Sequence, residues 1–274
     1  MSAGGSDSHS TELAAQEAAR RDEIARGLAS VLDRIDAATV AAGRADQPTL
    51  IVVTKRFPRS DVDHLKGLGV RDVGENKAQE LADKYAHRWG TTRGAGKGDV
   101  GRDEEAQGGP AVPSVGGLSV HFIGQLQSNK AGVVAEVADV VHSVDRLKVA
   151  AALDRRRSES TGDPRPLEVL LQVSLDGDPA RGGVPPSQVH ALADAVGELP
   201  HLSLRGVMAV APRELDPGDA FGRLREVADG IRHAHPAATW ISAGMSGDLE
   251  AAIRHGATHL RVGSAILGSR LSLG

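Results

Sequence analysis

The apolar residues of this chain fall into short continuous runs that alternate with segments of helical periodicity. The runs predict strands at residues 49–55, 70–76, 119–124, 139–145, 167–175, 202–210, 239–244 and 259–267. Between them, apolar residues recur at spacings of three and four, which predicts a helix in each interval. The runs are apolar throughout, as expected for parallel strands covered on both faces. Eight such units predict a (β/α)8 barrel, with a doubly wound open sheet as the alternative, because periodicity cannot show closure.

An extra helix is predicted before the first strand. The segment from Thr11 to Ala42 carries one apolar stripe, and Gly43 is a suitable stop. The stripe consists of Ile24, Leu28, Val31, Leu32 and Ile35. Residues 1–10 are rich in Gly and Ser and are predicted to be a disordered tail, which leaves 11–274 as a single barrel domain.

One stretch interrupts the alternation. Residues 91–117 are rich in glycine, charge and proline and have no apolar period, so we expect a disordered surface insertion. Within it, residues 96–101 (GKGDVG) match the GxGxxG pattern of dinucleotide sites. A dinucleotide site needs a preceding strand and a following helix, and the sequence predicts neither here.

Composition excludes several functions. The chain of 274 residues has no cysteine and a formal net charge of −4. Disulfides and zinc–thiolate sites are therefore excluded, and a polybasic surface for nucleic acid or membranes is not predicted. No apolar run approaches the ~18 residues of a membrane span, and the N-terminal residues lack the apolar core of a signal peptide. We expect a cytoplasmic protein.

A lysine stands where the first strand meets the barrel mouth. Side chains at the C-terminal ends of barrel strands face the active-site mouth. Lys55 follows the apolar run LIVVT and shares strand parity with Val53. An apolar floor would desolvate its amine and favour the neutral form that Schiff-base chemistry needs. The alternative is an ordinary surface lysine at a strand end.

Small residues follow the seventh and eighth strands. Gly244–Asp248 (GMSGD) opens a helix, and Arg261–Ala265 (RVGSA) ends the last strand. The loops after these two strands are the recurrent phosphate site of this fold. Backbone N–H groups and the hydroxyls of Ser246 and Ser264 can approach an anion there. The alternative is two ordinary tight turns.

Weaker candidates stand at other predicted strand ends. They are Glu75 and Asn76 at the end of the second strand, Gly124, Gln125 and Asn129 at the mouth end of the third, and His142 and Ser143 at the end of the fourth. Each of these residues can equally cap a helix or hydrogen-bond the backbone of a loop. Met208 is expected to fill the core. His233 and His235 lack acidic or sulfur ligands in register, so no metal site is predicted.

Taken together, these motifs resemble a known family. The segments LIVVTK, VGENKAQE, HFIGQLQSNK, HSVD, LQVSLDGDPARGGV, LRGVMAV, SAGMSGDLEAAI and THLRVGSAILGSR follow one another as in the pyridoxal phosphate homeostasis proteins, also called the YggS or PROSC family. The resemblance runs from about Ala25 to Arg270. It implies a (β/α)8 barrel like the N-terminal domain of alanine racemase.

The resemblance also implies a cofactor and its site. Pyridoxal 5′-phosphate would form an internal aldimine with Lys55, and Arg261 would face its pyridine nitrogen. The phosphate would be held by Ser246, Gly263 and Ser264, with Asn76 and Met245 as further contacts. The family has no established turnover, and the resemblance implies a protein that holds, buffers and delivers the cofactor, with transient contact with apo enzymes.

The alternative function is a pyridoxal phosphate-dependent amino-acid racemase of weak activity. In racemases the second acid/base group is a tyrosine from a β-rich second domain of the partner subunit, whereas this chain ends directly after the barrel. The sole tyrosine, Tyr85, is expected to lie in a helix far from the mouth. Without that domain a monomer is expected. The chain departs from the family at Arg56-Phe57, where Thr-Lys is usual, and at Lys77, where an aromatic is usual.

Overall fold

The computed structural model describes residues 5–85, 117–159 and 165–268. Eight parallel strands close into a barrel in which each strand pairs with its neighbours in sequence and β8 pairs with β1. The strands are β1 (Thr49–Val53), β2 (Asp72–Glu75), β3 (Ser119–Phe122), β4 (Val140–Val144), β5 (Leu167–Gln172), β6 (Leu202–Met208), β7 (Trp240–Ser242) and β8 (His259–Val262). The predicted (β/α)8 barrel is confirmed, and the open sheet is excluded.

Helices connect the strands on the outside of the barrel. They are α1 (Gly5–Ala41), α2 (Arg59–Gly67), α3 (Ala78–Tyr85), α4 (Ala131–Val137), α5 (Leu147–Glu159), α6 (Val189–Gly197), α7 (Pro217–Ala234), α8 (Leu249–Arg254) and α9 (Ser264–Leu267). None of the helices within the described ranges is long and apolar enough to cross a membrane.

The two faces of the strands differ in chemistry. Outward side chains such as Val52, Leu260 and Val262 join one large apolar core between barrel and helices. Inside the barrel the apolar cluster is small and consists of Val140, Leu170, Met208 and Trp240. Met208 is thus a core residue, as predicted. Polar side chains occupy much of the remaining interior, as described below.

Helix α1 lies against the outside of the barrel near its closure. It contacts α2, α8 and α9 and buries Ile24, Leu28, Val31 and Ile35. Leu32, predicted in the same stripe, is 41% exposed, because it lies at the edge of the face that the other four define. The helix begins at Gly5 rather than Thr11. Its residues 11–19 are exposed, so no apolar period marks that part of it in the sequence.

The last predicted strand is too long. The apolar run continues to Leu267, but β8 ends at Val262 and Gly263 begins the short helix α9. Ile266 and Leu267 are buried, in a helix that packs against α1. The apolar run therefore reflects burial under α1 and not strand structure.

Two predictions concern residues that the structure does not describe. The GKGDVG segment and the rest of the insertion up to residue 116 lie outside the described ranges. The same holds for residues 1–4 of the predicted tail.

Candidate functional site

The predicted site residues converge where β8 meets β1. Ile51 is in register with Arg261 and Val52 with Val262. Lys55 lies two residues after the end of β1. A Cβ at Gly263 would lie 3.0 Å from the carbonyl oxygen of Val53, so the glycine lets the two strand ends approach closely. The lysine and the last-strand motif therefore share one part of the barrel rim.

The two serines of the predicted phosphate site face each other. The Oγ atoms of Ser246 and Ser264 lie 3.5 Å apart. Met245 precedes this turn; its N–H donates to Oδ1 of Asp248, and its side chain lines a cavity of about 470 Å³ among the loops after β5, β6 and β7. The turns after β7 and β8 thus bring two hydroxyls to one point beside the mouth.

Lys55 itself is exposed, so the predicted desolvated surroundings are wrong. The chain leaves β1 at Val53, and Arg56 adopts a positive φ of 66°, which turns the backbone directly after the lysine. Such a conformation strains a residue with a side chain. The N–H of Arg56 donates to Oε2 of Glu80 at 3.0 Å. The backbone therefore turns sharply directly after Lys55 and is held by a hydrogen bond to Glu80, while the lysine side chain faces solvent.

A buried polar cluster fixes the residue before Lys55. The Thr54 hydroxyl and the Lys84 amine each donate to Oε1 of Glu75 at 2.7 Å. Lys84 also donates to the carbonyl oxygen of Thr54 at 2.7 Å. Burial raises the pKa of Glu75, an effect that the hydrogen bonds from Lys84 and Thr54 oppose. Glu75 is therefore a structural anchor for the end of β1, which the sequence did not indicate.

Tyr85 lies next to this cluster and not far from the site, so its predicted position is wrong. The side chain is fully buried, and its hydroxyl is 3.4 Å from Oγ1 of Thr54. A helical pattern does not show how a helix lies on the barrel. Here α3 lies across the end of β1, and its last described turn reaches Thr54.

Arg261 points into the barrel. Its Nη1 donates to Oγ of Ser242 at 2.6 Å and its Nη2 to the carbonyl oxygen of Ala209 at 2.8 Å. Burial lowers the pKa of this guanidinium to about 10. Among the described residues, no carboxylate lies within ion-pair distance of it, although burying a cation without such a partner is costly. A cation held in this way suits an electron-rich ligand.

The weaker candidates divide into interior and rim residues. His142 and Ser143 are buried inside β4 and do not cap helices. Asn76, Gln125 and Asn129 are exposed at the rim. Gly124 is tightly packed, because a Cβ there would lie 1.9 Å from the carbonyl oxygen of Asn76. Asn76 thus occupies a fixed backbone position beside the end of β1.

The residues near Lys55 that differ from the family pattern contact other side chains of the protein. Phe57 packs at the edge of the apolar core, and the guanidinium of Arg20 lies 5.7 Å from its ring. Lys77 is exposed, with Nζ 3.9 Å from Oε1 of Glu80. Neither substitution reaches Arg261 or the two serines.

Helix α1 supports the serine turn, a role that its sequence pattern did not reveal. Arg34 donates to the carbonyl oxygen of Ser246 at 3.0 Å and forms two hydrogen bonds with Glu250. Arg20 donates to the carbonyl oxygen of Leu267 at 3.0 Å. These long-range contacts tie the turns after β7 and β8 to one external helix.

Gly27 sets the distance between α1 and α9. A Cβ at this position would lie 2.5 Å from the carbonyl oxygen of Ile266. We expect Gly27→Ala to lower the free energy of unfolding by about 1–3 kcal/mol through overpacking, and to weaken ligand binding at the serine turn. Urea unfolding measures the first effect and ligand titration the second.

The matched control is Gly67→Ala at the end of α2, where a Cβ meets nothing within 4 Å. This change should be neutral or slightly stabilising, because alanine favours helix more than glycine. Equal losses for both variants would contradict the role given to Gly27.

Comparison with known proteins agrees with the barrel fold. A family profile described as the alanine racemase N-terminal domain matches residues 62–271. The fold is therefore of the alanine racemase N-terminal-domain class.

Relatives that match most of the chain identify its family within this class. The chain is 39% identical over 258 residues to the pyridoxal phosphate homeostasis protein of Mycobacterium tuberculosis, covering 92% of this chain and 94% of that protein. It is 37% identical over 253 residues to that of Escherichia coli K12, covering 91% and 97%. The structure of PipY from Synechococcus elongatus with pyridoxal phosphate bound matches with a TM-score of 0.69 at 29% identity, covering 89% of this chain and 100% of that one. The chain belongs to the pyridoxal phosphate homeostasis protein family.

Proposed function

We propose that this protein binds pyridoxal 5′-phosphate covalently through Lys55 and holds, buffers and delivers it. The observation that carries the proposal is the convergence on one rim of Lys55, the facing hydroxyls of Ser246 and Ser264, and the buried Arg261. An amine, an anion-binding turn and a fixed cation are the groups that an aldehyde, a phosphate and a pyridine nitrogen require. Its relative PipY was solved with pyridoxal phosphate bound.

The donor set fits each part of the cofactor. Ser246 and Ser264 offer hydroxyl donors to the phosphate, and Gly263 lets the end of β1 approach closely. Lys55 is exposed and can accept the aldehyde. When bound, pyridoxal phosphate supplies an aldehyde whose oxygen leaves as water when the lysine amine adds. Asn76 and Met245 complete the proposed rim.

Arg261 favours holding the cofactor over transforming amino acids. A guanidinium can only donate hydrogen bonds. A ring nitrogen facing it must accept and stays unprotonated, so the ring draws electrons weakly. Enzymes that need a strong electron sink place a carboxylate partner at that nitrogen instead.

The racemase alternative has no tyrosine placed to act as the second acid/base group. Such chemistry needs a proton donor on the cofactor face opposite Lys55. Tyr85, the sole tyrosine, is fully buried against Thr54, so it cannot reach a substrate in the mouth. This arrangement supports a carrier.

The open rim also supports delivery. Lys55, Met245 and Ser264 are exposed, so a partner protein can reach the bound cofactor directly. Transient contact with apo enzymes, a monomeric state and a cytoplasmic location belong to this proposal. Transfer is tested by mixing loaded protein with an apo enzyme behind a dialysis membrane or in direct contact; faster reactivation on contact supports delivery, and equal rates contradict it.

The phosphate contact gives a selective prediction. Ser246→Asp places a negative charge beside Ser264, so pyridoxal 5′-phosphate should bind at least about tenfold more weakly, roughly 1.4 kcal/mol. Binding of pyridoxal, which has no phosphate, should change little. Ser158→Asp, at an exposed site on α5, is the control and should alter neither. Equal loss for both ligands would show that the turn does not hold the phosphate.

A further inference from the structure

A continuous line of hydrogen bonds crosses the barrel interior behind the proposed site. Arg261 donates to Ser242, whose Oγ is 2.9 Å from Nδ1 of His142. Nε2 of His142 is 2.9 Å from Nδ1 of His121. Nε2 of His121 is 2.9 Å from Oδ1 of Asp72. We call these five residues, from Arg261 to Asp72, the interior file.

The interior file crosses the inside of the barrel from β8 to β2. Its members come from five different strands, and those between the ends are buried. Arg261 lies beside the rim, whereas Asp72 is the first residue of β2 and its side chain is 22% exposed. A contact between β4 and β7, such as that of His142 with Ser242, is possible only through the interior.

The acceptor at one end of the interior file fixes the direction of its hydrogen bonds when both histidine rings are neutral. Arginine can only donate and an ionised aspartate can only accept. Ser242 therefore accepts from Arg261, and Nε2 of His121 donates to Asp72, with Oγ of Ser119 also 3.1 Å away. With neutral rings, Nδ1 of His121 then accepts from Nε2 of His142, and Nδ1 of His142 accepts from the Ser242 hydroxyl.

With neutral rings, each ring nitrogen of the two histidines has a partner. Burial lowers the pKa of His142 well below its ordinary value, which favours its neutral form. The interior file therefore carries one positive and one negative end, joined by polarised neutral groups. Hydrogen bonds in such chains strengthen one another.

We propose that the interior file positions Arg261, so that Asp72, the acceptor at its far end, helps to hold the guanidinium in the orientation from which it donates to its ligand. His142, His121 and Ser242 are positioning residues. The proposal rests on the proposed function, because the ligand atom is the pyridine nitrogen of the cofactor. It assigns a role to a polar interior where barrels commonly place apolar layers.

The first experiment needs no cofactor. Nitrogen-15 NMR of histidine-labelled apo protein reports which ring nitrogen carries the proton. His142 and His121 should both be neutral and protonated on Nε2. A doubly protonated ring, or a proton on Nδ1 of His142, would overturn the proposal whether or not the protein binds pyridoxal phosphate.

The second experiment measures the nitrogen-15 shift of ring-labelled pyridoxal phosphate in the loaded protein. Cutting the interior file with Ser242→Ala or His142→Leu should move the shift toward that of a pyridine nitrogen without a donor. Affinity should fall about tenfold, the equivalent of one hydrogen bond to a charged group. Asp72→Asn should move the shift in the same direction by a smaller amount.

Two comparisons distinguish an effect carried through the interior file from a general disruption of the barrel interior. His259→Leu removes another buried histidine, whose ring centroid lies 6.5 Å from that of His121 but whose hydrogen bond goes to Thr258, and it should leave the shift unchanged. Asp72→Asn combined with His142→Leu should match His142→Leu alone, because the interior file is already cut. Additive shifts, or no shift for a folded Asp72→Asn variant, would overturn the proposal. Failure of the wild-type protein to bind the cofactor would instead contradict the proposed function.

Discussion

Lys84→Met is expected to cause the largest loss of stability among single substitutions near the site. The change removes the amine that pairs with Glu75, a carboxylate that is fully buried. Breaking a buried pair from one side costs about 3–5 kcal/mol, because the remaining charge is left in a poorly solvating interior. Chemical denaturation at neutral pH measures this loss.

The loss should depend on pH in a defined direction. Burial raises the pKa of Glu75 in the folded protein, so the native state binds more protons than the unfolded state above the ordinary pKa of glutamate. Stability then falls as pH rises through the raised pKa. Lys84 lowers this pKa, so its removal raises the pKa of Glu75 further. The deficit of Lys84→Met should be largest at neutral and alkaline pH and shrink toward acidic pH.

A double variant controls for lost packing. Glu75→Gln together with Lys84→Met replaces the buried charge with a neutral amide and should recover a large part of the loss. If the double variant is as unstable as the sum of the two single variants, the two side chains are not coupled as described.

Arg261→Met should separate binding from stability. The substitution removes the contact with the ring nitrogen, so pyridoxal phosphate should bind about 10–100-fold more weakly, a loss of roughly 1.5–3 kcal/mol. The apo protein should change little in stability, because removing the desolvation cost of a buried cation offsets the loss of its two hydrogen bonds. Titration and thermal unfolding of the apo protein measure the two effects.

Arg157→Met is the matched control. Arg157 is also buried, but it bonds the carbonyl oxygens of Arg165 and Ala135 on the far side of α5. This variant should keep its affinity for pyridoxal phosphate, whatever its effect on stability. If Arg261→Met also keeps its affinity, Arg261 does not contact the ring nitrogen and the case against catalysis no longer stands.

The sequence predicts the barrel because the signal for it is local. Each apolar run and each helical period is visible within about ten residues, and the alternation of eight units indicates the architecture. Strand ends are less visible. The run through Leu267 continues beyond β8, because helix α9 is buried under α1.

The site is only partly visible in the sequence. Lys55, Ser246 and Ser264 stand at strand ends, so strand order alone places them on the rim. The contacts that position them join residues far apart in the chain, such as Arg34 with Ser246 and Lys84 with Thr54. No periodicity records such pairs. The misplaced Tyr85 and the exposed Lys55 are errors of the same kind, since both depend on how loops and helices pack at the end of β1.

Trapping the covalent bond tests the central claim most directly. Loaded protein is reduced with borohydride, digested and mapped by mass spectrometry, with Lys55→Ala as the matched variant and Lys77→Ala as the control at the same rim. We expect one reduced phosphopyridoxyl adduct, on Lys55, present in Lys77→Ala and absent in Lys55→Ala. An adduct that maps to Lys77, Lys84 or Lys130, or that persists undiminished in Lys55→Ala, would contradict the account.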